Sequence, residues 1–396
     1  MKLFWPNNMG FEEALNQLAQ EKPFVPFDEK VLAFTQSLSK KLIKMRSLPE
    51  VVALGYWLRK ANVQQMKLAW EQETIEKYVK ARGTIFHIAP SNVDTIFVYS
   101  WMLSLLAGNR NIIRISSKEQ SNGLLDAIFG ELSLPEFENI AKRTIICTYG
   151  HEEQATEILS ANSHTRVIWG GDETIRNIRR IPLSPIANEL TFPDRFSLAV
   201  LNSEMVNQLN ESDFEQLLEQ FYNDVFWFDQ MACSSPRLIV WVGEQIEEAK
   251  VKYWTHFEKK IQSKQYELFA ATQVLKLSTS LWIAAGNEAV SIHNGKYFSR
   301  VKFTDLPQEA RERHCGGGFF YEYDIQNLDD LNSIIIDKDQ TLSYFGFEKN
   351  QLVELVTSIS SRGLDRIVPI GQALNFDGVW DGQSFLETFT REVVIL

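Results

Sequence analysis

GTIFHIAPSNVDTIFVYSWMLSLLAGNRNIIRISSK, residues 83–118, decides the fold. GTIFHIAP (83–90) is a short apolar run between a glycine and a proline, which predicts a buried strand. DTIFVYSWMLSLLAG follows as a helix, with Gly108 as its stop. NIIRIS (111–116) is a second strand. The pattern then repeats. SNGLLDAIFGEL reads as helix, RTIICTYG (143–150) as strand, EEQATEILSAN as helix, TRVIWGG (165–171) as strand and DETIRNIRR as helix. Strands of this length alternating with helices predict βαβ units and a parallel sheet.

Upstream, residues 10–80 read as mostly helical, with apolar positions at helical spacing in FEEALNQLAQE and in LPEVVALGYWLRKANVQQMKLAWEQETIEKYVKA. Downstream, a second alternation starts near residue 195. FSLAVLN is strand, ESDFEQLLEQFYNDVFWF a helix opened by Ser212 or Asp213, PRLIVWVG strand and QIEEAKVKYWTHFEKKIQSK helix. NQLVELVTSISSRGLDRIVPIG reads as helix, glycine stop and strand. TREVVIL (390–396) is a β-type run with no helix after it, and such a segment must pair with a sheet edge, its own or a neighbour's.

The chain of 396 residues is long enough for two domains, and 44% hydrophobic residues supply a large core. The net charge of −11, with no long block of like charge, argues against nucleic acid and against a basic membrane face. The most membrane-like segment, residues 95–108, is shorter than the roughly 20 apolar residues a span needs. MKLFWPNN lacks the apolar centre of a signal peptide. Three cysteines, Cys147, Cys233 and Cys315, do not form a disulfide framework, so a reducing cytoplasmic setting is expected. Six scattered histidines without HxxxH or CxxC spacing give no expectation of a metal site.

Four stretches carry candidate chemistry. Asn92 sits just past the carboxyl end of the 83–90 strand, where open α/β sheets bind ligands, and its carboxamide can donate to an oxyanion. Taken alone it reads first as a turn former. Ser116, Ser117 and Lys118 end the next strand and suit a ribose or phosphate, or are a solvated loop. Gly170 and Gly171 allow a ligand close approach at a helix start, although Asp172 opposes a phosphate there, or form a tight βα turn. Cys233 follows an aromatic helix and is flanked by Ala232, Ser234 and Ser235. A buried inert thiol is the plain alternative. The small neighbours leave room for a substrate, and Arg237 lowers the thiol's pKa if the two meet in space. Phe221, Tyr222, Phe226, Trp227 and Phe228 can line an apolar tunnel, but their helical spacing is that of ordinary core.

In this order, HIAPSN, GNRNIIRISSK, WGGD, ACSSP and RIVPIGQALNFDGVWDG resemble the LuxC-type acyl-CoA and acyl-protein thioester reductases, within the aldehyde dehydrogenase superfamily. The resemblance spans roughly residues 80–396 and rests on motif order together with structural context. It implies an aldehyde-dehydrogenase-like α/β fold. Residues 1–80 would be a mostly helical part packed on the cofactor domain, 81–195 an NADP(H)-binding domain, 196–375 a catalytic domain and 376–396 a return and oligomerisation strand. It implies Cys233 as nucleophile and Asn92 as oxyanion donor, with Pro90, Arg114, Ser116, Ser117, Lys118, Gly170 and Gly171 at the cofactor. Superfamily oxidases carry a base in an ELGGKSP-like segment. The nearest stretch here is NELTFPDRF, whose glycines are missing, and the base role is not carried to Glu189. Its loss fits a reductase that keeps water off an acyl-enzyme. Ser117 beside Lys118 stands where relatives that prefer NAD carry an acid, which favours NADPH.

The implied reaction reduces an acyl thioester to the aldehyde through a Cys233 acyl-enzyme. Its acyl group would come from CoA or from an acyl-protein synthetase or transferase partner, and the enzyme would be a homo-oligomer. Two other readings stand beside it: an NAD(P)-dependent aldehyde dehydrogenase, and an acyltransferase or acyl carrier that uses the same cysteine.

Overall fold

The computed structural model describes residues 1–90, 95–116, 123–150, 153–286 and 289–395. The chain divides into two units, Met1–Asp194 with Phe376–Leu396, and Arg195–Asn375. Each carries its own sheet.

The first unit contains β1 (Lys2–Trp5), β2 (Tyr78–Ala81), β3 (Thr84–Ile88), β4 (Arg110–Arg114), β5 (Thr144–Thr148), β6 (Thr165–Trp169) and β7 (Asn188–Phe192). Its main sheet runs β1-β5-β4-β3-β6-β7. The strands are parallel apart from β1, which pairs antiparallel with β5 at the edge. Every residue of β3, β5 and β6 is buried, because both faces of the sheet are covered. The crossover helix Thr95–Leu106 is likewise apolar all round and is buried at every position from Phe97 onward. Phe34 of the N-terminal helix Glu29–Leu42 packs on its Trp101, with ring centroids 5.9 Å apart. From β3 the chain builds β4 and β5 on one side, then crosses to build β6 and β7 on the other. The topological switch point therefore lies at the carboxyl ends of β3 and β6.

The second unit contains β8 (Phe196–Asn202), β9 (Leu238–Val242), β10 (Ala289–Asn294), β11 (Ser299–Phe303), β12 (Phe319–Ile325), β13 (Asp339–Phe345) and β14 (Arg366–Pro369). Its order is β10-β11-β12-β9-β8-β13-β14, parallel except for β10 on β11. On one face, the helices Glu211–Phe226 and Ile246–Ser263 form an aromatic core with the sheet, in which Phe221 meets Phe257 and Phe320 at 5.0 and 5.8 Å. Phe221 and Phe226 belong to this core, while Trp227 is exposed.

The C-terminal segment rejoins the first unit through a short hairpin, β15 (Val379–Trp380) and β16 (Gln383–Ser384), and ends in β17 (Thr390–Val393). β17 pairs antiparallel with β2, from Thr390↔Ala81 to Val393↔Tyr78. The terminal run thus finds a partner within its own chain, and Val394 and Ile395 beyond it are exposed.

Three local readings change. The helical reading of residues 10–80 ends in a strand at Tyr78–Ala81, whose partner lies at the other end of the sequence. Lys2–Trp5 and Asn188–Phe192 are edge strands of the first sheet. The helix Glu211–Phe226 is capped by Asn210, whose side chain accepts from Asp213 N at 3.0 Å, so Ser212 and Asp213 lie inside its first turn.

Candidate active site

Cys233 lies in the turn between the helix Glu211–Phe226 and β9, at the amino-terminal edge of the second unit's sheet. It is half-buried, while Ser234 and Ser235 beside it are buried. Three hydrogen bonds pin this turn. Ser197 Oγ of β8 donates to Cys233 O at 2.6 Å. Ser235 Oγ donates to Asp224 O, on the preceding helix, at 2.8 Å. Gln230 Nε2 donates to Pro236 O at 2.9 Å. A backbone held on both sides of Cys233 gives its side chain a rigid mount.

Gln230 is the keystone of this edge. It is fully buried and left-handed, with φ +60, following Asp229 with φ +50. Its Nε2 also reaches Phe319 O at 3.0 Å, and its Oε1 accepts from Gly318 N and Phe319 N at 3.0 and 2.9 Å. The glycine run after Cys315 is therefore docked beside the Cys233 turn. Gly316, Gly317 and Gly318 are all left-handed, and Gly317 N donates to Asp229 O at 2.8 Å. A Cβ on Gly317 would stand 2.1 Å from Thr272 Cγ2, so the run combines backbone freedom with close approach. His314 donates from Nε2 to Phe319 O at 2.6 Å and accepts Gly316 N at Nδ1. Burial, reinforced by Arg237, holds its pKa well below the usual histidine range, so it is neutral. Arg237 donates from Nη1 to Arg195 O at 3.1 Å and lies over the Phe196 ring.

The other two thiols are held in their protonated form. Cys147 is fully buried in β5, and burial pushes its pKa up to about 12. Burial also raises Cys315, against the opposing pull of Thr279 and Lys276.

In the first unit, the strand ends named from sequence meet at one edge of the sheet. β3 leads to Pro90, β4 to Ser116 and β6 to Gly170 and Gly171, and β3 lies between the other two. Asn92, Ser117 and Lys118 lie outside the described residues. Neither glycine of the β6 turn has a positive φ; Gly171 is extended, at φ −64 and ψ 160. A Cβ on Gly171 would meet nothing within 4 Å, and one on Gly170 only the Thr174 side chain. The turn therefore presents bare backbone at the switch point, and a dinucleotide fits that arrangement. Arg114 is anchored just past the end of β5, donating from Nη2 to Tyr149 O at 3.2 Å. Beneath the edge, His87 of β3 bridges Ser100 Oγ (2.8 Å) and Asn111 Oδ1 (3.1 Å) and holds strand, helix and strand in register. Burial lowers its pKa to about 4.

Glu189 is bound on both oxygens by arginines. Arg166 Nη2 and Nε approach Oε2 at 2.5 and 2.7 Å, and Arg179 Nε approaches Oε1 at 2.9 Å. Both of its oxygens are thereby taken up by guanidinium donors. Among the described residues no group of three or more His, Cys, Asp or Glu is placed to hold a metal ion, and no helix is long and apolar enough to cross a membrane.

The family model for acyl-CoA reductase (LuxC) matches residues 29–392. The chain belongs to the LuxC family. A LuxC relative, the long-chain acyl-protein thioester reductase of Vibrio harveyi, is 22% identical over 327 residues, covering 80% of this chain and 65% of that protein. The chain spans less than two thirds of the length of the curated relatives it matches, with coverages of 34%, 60% and 65%. Among solved structures, aldehyde dehydrogenase 21 from Physcomitrella patens aligns over 97% of the LuxC chain and 90% of its own, with a TM-score of 0.67 at 10% identity. Glyceraldehyde-3-phosphate dehydrogenase GapN from Methanocaldococcus jannaschii, solved with NADP, aligns over 96% and 92%, with a TM-score of 0.65 at 11% identity. The LuxC chain therefore has the aldehyde dehydrogenase fold.

The sequence reading singled out Cys233 but passed over Gln230 and Asp224. Asp224 had a visible signal: it interrupts the apolar stripe Phe214, Leu217, Leu218, Phe221 and Val225 of its helix.

Proposed function

We propose that this protein reduces an acyl thioester to the aldehyde through an acyl group carried on Cys233. The supporting observation is the Cys233 turn, a half-buried thiol on a backbone pinned by Ser197, Ser235 and Gln230. Family membership supplies the reaction class, since its curated relatives are long-chain acyl-protein thioester reductases.

In this reading the Cys233 thiolate attacks the thioester carbonyl. The new C–S bond forms as the carbonyl electrons move to oxygen. Asn92 and a backbone N–H of the turn donate to that oxyanion. Collapse expels the thiolate of CoA or of a donor protein and leaves the acyl-enzyme. Pro90, Arg114, Ser116, Ser117, Lys118, Gly170 and Gly171 hold the cofactor, which we take to be NADPH. When bound, its reduced nicotinamide supplies a hydride for the acyl carbon. Cys233 finally leaves as thiolate and releases the aldehyde. Glu189, paired to Arg166 and Arg179, does not activate water, and that supports reduction over hydrolytic aldehyde oxidation.

The donor is an acyl-CoA or an acylated partner protein, and the working form is a homo-oligomer in the cytoplasm. The test is absorbance at 340 nm. NADPH oxidation that starts on addition of acyl-CoA and yields aldehyde supports the reading. Acylation of the protein without NADPH oxidation would make it an acyltransferase or acyl carrier instead.

A further inference from the structure

The block RIVPIGQALN (366–375) leads into a loop whose backbone is gripped from two sides. On one side stands Asp224, 1% exposed, near the end of the helix that leads to Cys233. Its Oδ2 accepts from Gly371 N at 2.6 Å and its Oδ1 from Ala373 N at 3.0 Å. On the other side Arg366 donates to Ala373 O and Asn375 O at 2.9 Å and to Gln372 O at 3.2 Å. Gly371 is left-handed, with φ +94, and a Cβ there would stand 2.7 Å from Gln220 Cβ, one helical turn before Asp224. The loop thus seats on the helix at Gln220 and Asp224, and only glycine permits the contact.

Asp224 also faces the other way. Its backbone carbonyl receives Ser235 Oγ, two residues past Cys233. One residue therefore joins the 371–373 loop to the nucleophile turn. A buried acid on an apolar stripe is costly, and a core that needed only packing would carry an apolar residue there.

We propose that Asp224 is a positioning residue for Cys233: its carboxylate locks the 371–373 loop against the helix end, and its carbonyl locks the turn through Ser235. This rests on Cys233 being the nucleophile, yet it can be tested apart from that. Both oxygens accept from backbone N–H groups, so the geometry requires the carboxylate. The other groups that feel its charge are Arg366, from β14, and Tyr253, from the helix Ile246–Ser263. Burial pushes the carboxyl up to about 7, against Gly371 N–H, Ala373 N–H and Arg366, which pull it down. On protonation one oxygen becomes a donor facing a donor, and the lock loses a bond.

The experiment uses the full chain and two variants. Asp224→Asn keeps the shape but turns an NH2 toward a backbone N–H. Ser235→Ala cuts only the link to the turn. Alkylation of Cys233 by iodoacetamide is followed by peptide mass spectrometry from pH 6 to 9, beside kcat and KM for an acyl-CoA. Because small misplacements near a reacting atom cost up to about a hundredfold, Asp224→Asn is expected to lower kcat roughly ten- to a hundredfold with KM nearly unchanged. It should also remove an inflection near pH 7 from the alkylation profile. Ser235→Ala should slow alkylation several-fold without moving that inflection. If alkylation changes but turnover does not, Asp224 still positions Cys233, and the nucleophile assignment is what fails. If both variants fold and alkylate at the wild-type rate across the pH range, the proposal is overturned. Should Asp224→Asn not fold, an unchanged rate in Ser235→Ala overturns it alone.

Discussion

Replacing Gln230 by leucine isolates the polar brace of the Cys233 turn. Leucine fills nearly the same volume, so the change removes hydrogen bonds and little packing. Gln230 serves four backbone groups: Pro236 O, Phe319 O, Gly318 N and Phe319 N. Phe319 O keeps His314 as a donor. Three buried groups are then orphaned, at about 1 kcal/mol each at the low end of the usual range, giving about 3 kcal/mol. The left-handed backbone at Asp229 and Gln230 remains, without the bonds that held it there. With a urea slope of about 2 kcal/mol per M, the midpoint for the unit carrying Cys233 should fall by roughly 1.5 M. Urea titration followed by tryptophan fluorescence measures this, with Trp241 and Trp254 buried in that unit's core. Cys233 alkylation in the folded variant should change as well, because Pro236 O anchors the same turn. A midpoint within about 0.3 M of wild type, on the same slope, would refute the reasoning by showing that water or a relaxed backbone replaces the amide.

Glu189→Gln should leave thioester reduction within a few-fold of wild type. It should lower stability by up to about 3 kcal/mol, because Arg166 loses a buried partner. A hundredfold fall in turnover with the fold intact would instead make Glu189 the base. Removing residues 390–396 should strip β2 of its partner strand and lower the urea midpoint of the first unit; an unchanged midpoint would contradict this. Acid should destabilise the protein through its histidines. His87, lowered to about 4, and His314, lowered well below its usual value, bind fewer protons folded than unfolded, so stability is lost as pH falls below about 6.5. Asp224, raised to about 7, acts in the opposite sense, its contribution weakening as pH rises from about 4 to 7. Urea midpoints at pH 7 and pH 5 should show a smaller difference in His87→Gln than in wild type.

The strands most legible in the sequence were short apolar runs, while the interior strands Phe319–Ile325 and Asp339–Phe345, interrupted by polar residues, were not legible. TIFHI, TIICT, TRVIW and LIVWV are short, apolar and bounded by turn residues, and all are buried strands. Two edge strands, Arg366–Pro369 and Thr390–Val393, were legible as apolar or β-type runs, whereas Lys2–Trp5, Tyr78–Ala81 and Asn188–Phe192 were not. Tyr78–Ala81 is mostly exposed and follows a helix with only a short break, and nothing local announces that Thr390–Val393 will pair with it. Asn188–Phe192 hides a strand among polar residues because it has one neighbour and one open side. At the candidate site, Cys233 and the GG turn were visible as residue types in a turn context. Gln230 was not, because its function lies in four contacts with segments it does not adjoin in sequence. The glycines of HCGGG are fixed in left-handed conformations against Met231, Thr272 and Phe226, contacts that a sequence pattern does not show.

The central claim is that the acyl group rides on Cys233, and intact-protein mass spectrometry after incubation with acyl-CoAs of several chain lengths tests it most directly. Wild type should gain the mass of one acyl group, peptide mapping should place it on Cys233, and NADPH should discharge it as aldehyde. Cys147→Ala and Cys315→Ala should still acylate, and Cys233→Ala should not. An adduct that survives in Cys233→Ala, or that maps to Cys315, would contradict the account.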